Sequence, residues 1–445
     1  MIRGNLDVAE QNYFARRINF YLPEISIKGS LPAYSVDESY RLFGGATRSA
    51  LYRTRDLGLS SFIEMKQSLL TGGDVTVTAN LNARDFKYPN TGPDAAESPF
   101  VNQKSKLGDF SFSYKQPILK GSDSKNRLYT ARDDYQIARL TAIEEQTSLS
   151  KEVVEAFFGV LQWTVRSEIN RSKLESAQLS ASIDSTKFLD GILSEEEWLV
   201  SASNRLDAEL NMFDVDNQLM EKKRELAILL DRDATTELDP VEPQVDPPLI
   251  EGERTQLLTS TDRTAAVQKS YLAYVKARRD AGYAASGHGL SGDLSASYNT
   301  GRGDVDVDGS KEDINTQGWG VSLDFVLPLW DGGASSSAVK AARIAADQKE
   351  LEHNRTIKTA KAEVTNLVNQ IDVGYQRLTI LSKQIELAAS KLAIAESRFA
   401  DGQISRIELL GSMVTHLEAK DKYLEELKAY TNNRIELKGK FGEAL

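Results

Sequence analysis

Several stretches of this chain have the residue types and spacing of chemical sites, and each lacks a part. Asp304, Asp306 and Asp308, followed by Gly309, open like a calcium loop, in which alternate carboxylates converge on one cation. The twelfth loop position needs a bidentate Glu and holds Asn315, and the segment falls between two strand patterns rather than two helices. A polar external loop is the expected reading. Gly287, Gly289 and Gly292 have the spacing of a dinucleotide-binding loop, but they follow a helical pattern and precede a strand, the reverse of what the pyrophosphate requires. His288, His353 and His416 are scattered without ligand spacing, and the absence of cysteine removes thiolate metal sites and disulfides. With no nucleophile beside a base, no enzyme activity and no catalytic, cofactor or metal site is expected.

One recurring pair of residues remains. Ser194-x-x-Glu197 and Ser405-x-x-Glu408 both have capping-box spacing, in which Ser and Glu each satisfy a free N–H of a helix's first turn. Each pair follows an Asp-Gly, with Gly191 and Gly402 placed to end the preceding helix in a left-handed cap. These motifs predict two tight helical tips. They also belong to a larger correspondence, since 405 − 194 = 211 and 402 − 191 = 211. The same offset pairs Pro117 and Gly121 with Pro328 and Gly332, Ala131-Arg132 with Ala342-Arg343, and Glu225-Leu226 with Glu436-Leu437. A solenoid repeats every 20–50 residues, so a spacing this long predicts one large unit, duplicated.

Each unit reads as helix, strands, then two long helices. Segments ending at Arg17 and Arg279 are helical. Phe110, Phe112 and Tyr114 alternate with polar residues, as do Trp319, Val321, Leu323 and Phe325, and Ile25–Leu31 and Leu294–Tyr298 follow the same period of two. Strands of about ten residues suit a tilted membrane-spanning barrel. The first unit spans 117 − 17 = 100 residues between its landmarks and the second 328 − 279 = 49, and Leu69–Asp74 with its alternating flanks predicts an extra hairpin in the longer one. The sequence leaves open whether that hairpin joins a wall or stands above it. From Val364 to Phe399 the apolar residues step by three and four, a coiled-coil seam on a helix of about 100 Å. Pro240, Pro243, Pro247 and Pro248 mark an extended connector. The domain boundaries expected are therefore 1–230 for the first repeat, 231–260 for the connector and 261–445 for the second repeat.

The chain has 445 residues and a net charge of −11, which argues against nucleic acid as a partner. No apolar run approaches the ~20 residues of a spanning helix. Met1-Ile2-Arg3-Gly4 opens no export signal, and Leu6–Arg17 reads as a helix end, so the expectation is that the natural start has been lost. Strands with a lipid-compatible face cannot leave open edges in a bilayer. One chain supplies about four strands, or six with the hairpin, too few to close a barrel, so an oligomer is expected. Without a membrane, the same seams would suit a soluble or peripheral coiled-coil scaffold.

The corners Gln116–Gly121 and Leu327–Gly332, the tip Arg398–Leu410 and the run Arg17–Pro23 resemble the TolC-like outer-membrane efflux proteins, and the likeness spans nearly the whole chain. That resemblance implies an α+β membrane protein: a homotrimer whose twelve-stranded transmembrane β-barrel continues into a long α-helical coiled-coil barrel through the periplasm. It also implies passive export in a tripartite efflux or type I secretion system, with outer-membrane lipid, a periplasmic adaptor and an inner-membrane RND or ABC transporter as partners. The tips would form the periplasmic aperture, with Glu197 and Glu408 at the acidic positions. Both residues also complete capping boxes, and the two roles are compatible. The family often places a basic residue two positions after the tip glycine. Here Ile404 stands there and Arg406 lies nearby, so pairing of Arg406 with Glu195, Glu196 or Glu197 of a neighbouring hairpin is the expected substitute. Trp319, Trp330 and Tyr298 are candidates for an interfacial belt.

Overall fold

The computed structural model describes residues 2–41, 50–90, 100–119, 121–236, 238–287, 289–327 and 329–442. In order along the chain these form α1 (Ile2–Tyr21), β1 (Glu24–Arg41), β2 (Ala50–Ser68), β3 (Asp74–Pro89), β4 (Phe100–Pro117), α2 (Asp123–Leu189) and α3 (Glu195–Leu229). There follow α4 (Glu251–Thr259), α5 (Ala265–Ser286), β5 (Ser291–Val307), β6 (Ser310–Val326), α6 (Ala334–Ala400) and α7 (Arg406–Lys440). No helix among the described residues is long and apolar enough to cross a membrane. The chain divides into two compact units, one of residues 3–138 with 272–351 and one of 139–271 with 352–445.

The first unit holds one antiparallel sheet of six strands in the order β1-β2-β3-β4-β5-β6. The predicted extra hairpin is β2–β3, hydrogen-bonded on both sides, so the sheet exceeds the four strands per chain that a threefold twelve-stranded wall needs. Period two holds in every strand, and the register carries it from one strand to the next. Ile25 pairs with Met65, Met65 with Val77, Val77 with Phe112, Phe112 with Tyr298 and Tyr298 with Trp319, an apolar row across the whole sheet. The neighbouring row, Ser26, Glu64, Thr78, Ser111, Asn299 and Gly318, is polar. Over the half of the sheet nearest the helical corners one face is therefore apolar and the other polar, while towards the far end Lys104, Lys106, Asp304 and Asp306 fall on the first face. Ile25, Ile27, Ile63, Phe110, Trp319 and Val321 lie exposed on the apolar face.

The three-aspartate run builds the β5–β6 turn. Asp308 (φ 50°) and Gly309 (φ 91°) take the left-handed conformations of a two-residue hairpin, for which Asp-Gly is the preferred pair. Asp308 Oδ1 accepts the Asn102 N–H at 2.9 Å, and Asp306 Oδ1 accepts the Gly309 N–H at 2.8 Å. Among the described residues no cluster of His, Asp or Glu could hold a metal ion.

At the strand–helix corner, Pro117 ends β4 and the Gly121 N–H donates to Ser286 Oγ at 3.1 Å. A Cβ on Gly121 would lie 2.9 Å from the Tyr283 ring, so glycine is needed for this close approach. α5 is tied to the start of α2 by Arg279, whose guanidinium donates to the buried Asp133 carboxylate at 2.7 Å and to Asn126 Oδ1 at 3.1 Å. In the second corner Pro328 lies outside the described residues. Gly332 and Gly333 have φ of 68° and 87°, and Asp331 caps α6 by accepting the Gly333 and Ser335 N–H groups, each at 2.9 Å. Its bond from Ser335 holds the Asp331 carboxyl below the usual carboxylate range.

The second unit is helical. Val364, Leu367, Ile371 and Leu378 of the predicted seam are buried against Phe158, Val165 and Ile169 of α2 and against Leu417, Leu424, Leu427 and Tyr430 of α7. Gly374 lets α6 and α7 meet closely, since a Cβ there would come 3.2 Å from the Tyr430 ring. The connector runs extended along this core and then forms α4, a helix that its proline content did not suggest. The Tyr430 hydroxyl donates to the Asp246 carbonyl at 3.0 Å, and Arg434 pairs with the Asp246 carboxylate at 3.3 Å.

Candidate functional site

The two hairpin tips, both in the helical unit, are built alike. α2 ends at Leu189 and Gly191 turns left-handed (φ 70°). The Gly191 N–H donates to the Phe188 carbonyl at 3.0 Å and that of Ile192 to Lys187 at 2.8 Å. α6 ends the same way. Gly402 has φ 71°, with bonds from Gly402 to Phe399 at 2.9 Å and from Gln403 to Arg398 at 2.8 Å. These paired bonds satisfy carbonyls left free by the last turn.

Both capping boxes are present. The Glu197 N–H donates to Ser194 Oγ at 3.3 Å, and the Ser194 N–H donates to Glu197 Oε2 at 3.1 Å. The Glu408 N–H donates to Ser405 Oγ at 3.2 Å, and the Ser405 N–H donates to Glu408 Oε2 at 2.8 Å. Bonds from the Ser194 hydroxyl and then its backbone N–H hold the Glu197 carboxyl below its ordinary range. Glu195, Glu196 and Glu197 all lie in the first turn of α3, where the helix dipole favours negative charge.

The tips differ in what crosses them. At the first, Phe188 stacks on Trp198 with ring centroids 5.1 Å apart. At the second, Leu409 replaces the indole and is buried, while the Arg406 guanidinium lies over the Phe399 ring at 5.9 Å. Arg406 Nε also donates to Glu175 Oε1 at 2.9 Å, and this bond raises the guanidinium pKa further. Within the chain its partner is thus Glu175 and not one of Glu195–Glu197. The reason is packing: α7 lies along α2, as Lys173–Glu418 and Arg166–Asp421 show, so the start of α7 faces the flank of α2. The identity of position 175 could not be read from sequence spacing, because it depends on helix register.

A second feature escaped the sequence reading. Leu199, Leu206, Phe213 and Met220 on α3 are exposed, as are Val373, Ile380, Leu387 and Ile394 on α6. Each set steps by seven, a heptad stripe that lies off the buried seam. The signal was available in the spacing and was masked by the stronger seam from Val364.

Residues 259–443 match the outer membrane efflux protein family. TolC of Escherichia coli is 26% identical over 193 residues, covering 40% of this chain and 38% of TolC, so the chain aligns with well under half of that relative's length. Among solved structures, the outer-membrane channel OprN shares the fold at TM-score 0.61 and 17% identity, over 100% of this chain and 86% of that one. The outer membrane protein VceC of Vibrio cholerae does so at TM-score 0.59 and 13% identity, over 100% and 92%. The tips, the corners and the six-stranded sheet thus sit in a fold shared with outer-membrane channels, and residues 259–443 carry the match to the outer membrane efflux protein family.

Proposed function

We propose that this chain is the outer-membrane exit duct of a tripartite efflux or type I secretion system, conducting substrates passively. The observation that carries the reading is a sheet with one apolar face and two unpaired edges, β1 and β6. In a bilayer each unpaired N–H or C=O costs several kcal/mol, so such a sheet is stable there only when further copies close it. The apolar face meets lipid and the polar face lines a water-filled lumen. Trp319 and Tyr298, adjacent on the ladder, supply aromatic contacts with the membrane.

The helices support closure by copies of the same chain. Inside one chain α2 packs on α7. Shifted by 211, those two helices become α6 and α3, because 123 + 211 = 334 and 195 + 211 = 406 reproduce the helix starts. Residues 1–230 and 261–445 are accordingly two copies of one structural unit, joined by 231–260. The exposed stripes of α6 and α3 are the counterparts of the internal α2–α7 interface, and α6 of one copy packs against α3 of the next. A homotrimer of such chains has six quasi-equivalent hairpins. The match of residues 259–443 to the outer membrane efflux protein family supports an adaptor and an inner-membrane RND or ABC transporter as partners.

Glu197 and Glu408, with Arg406 and Ser405, line the periplasmic aperture. Repeated around a threefold axis, the carboxylates favour cations at a narrow mouth. Gly191, Gly402 and Ser194 fix the tip geometry, and Pro117, Gly121 and Gly332 fix the passage from strand to helix.

Membrane extraction and electrophysiology test this reading. The protein, expressed with an export signal, should require detergent for release, run as a heat-labile trimer and give discrete conductance steps in planar bilayers. Recovery in the soluble fraction as a non-conducting species would overturn it in favour of a scaffold.

A further inference from the structure

We propose that the β2–β3 hairpin lies in the membrane wall, so that three copies of the six-stranded sheet close an eighteen-stranded barrel whose lumen admits bulky solutes. This rests on the duct reading above. It concerns what sets the size limit of the pore.

The hairpin has the construction of wall rather than of a surface loop. β2 pairs with β1 from Glu24–Lys66 to Arg41–Ala50, and β3 pairs with β4 from Asp74–Lys115 to Pro89–Phe100, so the ladder runs its whole length on both sides. Its alternation is in phase with the other strands. Leu59, Ile63, Val75, Val77 and Leu81 fall on the apolar face, and Ser60, Glu64, Thr76, Thr78 and Asn80 on the polar one. A hairpin standing in water would have no use for the largely apolar face from Leu57 to Ala83, which only Ser61 and Gln67 interrupt within the paired strands. Leu59, Ile63 and Leu81 are exposed, a loss of about 25 cal/mol for each Å² left wet.

The hairpin also spans the full height of the sheet. Its turn, Leu69–Gly73, comes back to the level of the β4–α2 corner. Gln116 Nε2 donates to the Thr71 carbonyl at 3.2 Å, a Cβ on Gly72 would lie 2.6 Å from Ser122 Cβ, and Gln67 Nε2 donates to the Phe20 carbonyl at 3.0 Å. A short turn at the helical end is shared with membrane barrels; at the other end the β1–β2 and β3–β4 connections are longer, while β5–β6 turns through Asp308-Gly309 alone.

Strand count sets bore. With strands about 4.8 Å apart and tilted about 40°, eighteen strands give a barrel about 36 Å across and twelve about 24 Å. The polar face carries short side chains, among them Ser111, Ser113, Ser295 and Ser297, beside the longer Lys28, Phe62, Lys66 and Lys115. Passage is then limited at the helical tips, and the barrel imposes no further size selection on large cargo.

The chain has no cysteine, so single-cysteine probes are clean. In the membrane-embedded trimer, Thr78→Cys should react with a membrane-impermeant maleimide at least tenfold faster than Val77→Cys, and Val77→Cys should take a lipid-soluble reagent. Electron cryo-microscopy of the unmodified trimer should count eighteen strands. Equal labelling of both positions by the impermeant reagent, or a conducting trimer with a twelve-stranded wall, would overturn the inference while leaving the duct intact. A chain that forms no conducting trimer would instead overturn the duct reading itself.

Discussion

α3 and α7 are 35 residues each and start 406 − 195 = 211 residues apart, yet the same heptad positions have opposite fates in them. Leu410, Leu417 and Leu424 of α7 are 2%, 6% and 1% exposed, whereas their counterparts Leu199, Leu206 and Phe213 of α3 are 52%, 51% and 66% exposed. Residue type does not account for this, because all six are large and apolar. The difference is one of partners. α7 finds α2 and α6 inside its own chain, while α3 presents a matching stripe that no described residue of this chain covers. An exposed stripe that duplicates an internal interface is the surface on which the proposed oligomer would dock another copy.

The sharpest way to break the comparison is to truncate equivalent residues. Leu424→Ala should cost about 3 kcal/mol of the helical unit's own stability, since it opens a cavity in a closed core. Phe213→Ala should leave that unit's unfolding unchanged and destabilise only the oligomer. Chemical unfolding followed by circular dichroism, beside oligomer heat-lability on gels, separates the two. If both substitutions acted equally on the separated chain, α3 would be covered from within and the docking argument would fail.

The tips offer a finer contrast. Arg406→Ala removes the bond to Glu175, which only the second tip makes. Both side chains are exposed and the pair is screened by water, so stability should be essentially unchanged. Conductance of the reconstituted trimer should nevertheless rise, and Glu195→Ala at the matching position of the first tip should raise it less. Unchanged conductance in Arg406→Ala would remove this residue from the gate.

The smallest effect concerns acid. The Glu197 carboxyl has a depressed pKa in the folded chain, so its capping contribution is present above the unfolded carboxylate pKa and is lost as pH falls through the folded value. Hydrogen exchange at the first turn of α3 should therefore quicken, after correction for intrinsic rates, only below the usual carboxylate range. Ser194→Ala should move that onset to higher pH. An onset insensitive to Ser194→Ala would mean that the cap does not control fraying there.

Much of this was legible before folding. Gly191, Gly402, Ser194 and Ser405 act through bonds to residues within five positions, so a local pattern predicts them. The strands at 110–114 and 319–325 and the seam from Val364 follow from periodicity, which reflects one buried or lipid-facing side. The pairing of Arg406 with Glu175 spans 231 positions and depends on how α7 slides along α2, which no local pattern encodes. α4 was concealed because four prolines ahead of it dominated the reading of the connector.

Sequence by itself determined the periodicities, the two tips, the 211-residue correspondence and the family likeness, because each rests on short-range geometry or on repetition within the chain. Only the tertiary structure decided that β2–β3 joins the sheet on both sides and that α7 is covered where α3 is bare. Those outcomes depend on register and on the number of available neighbours, and an alternating strand or a heptad stripe carries the same residues whichever partner finally pairs with it.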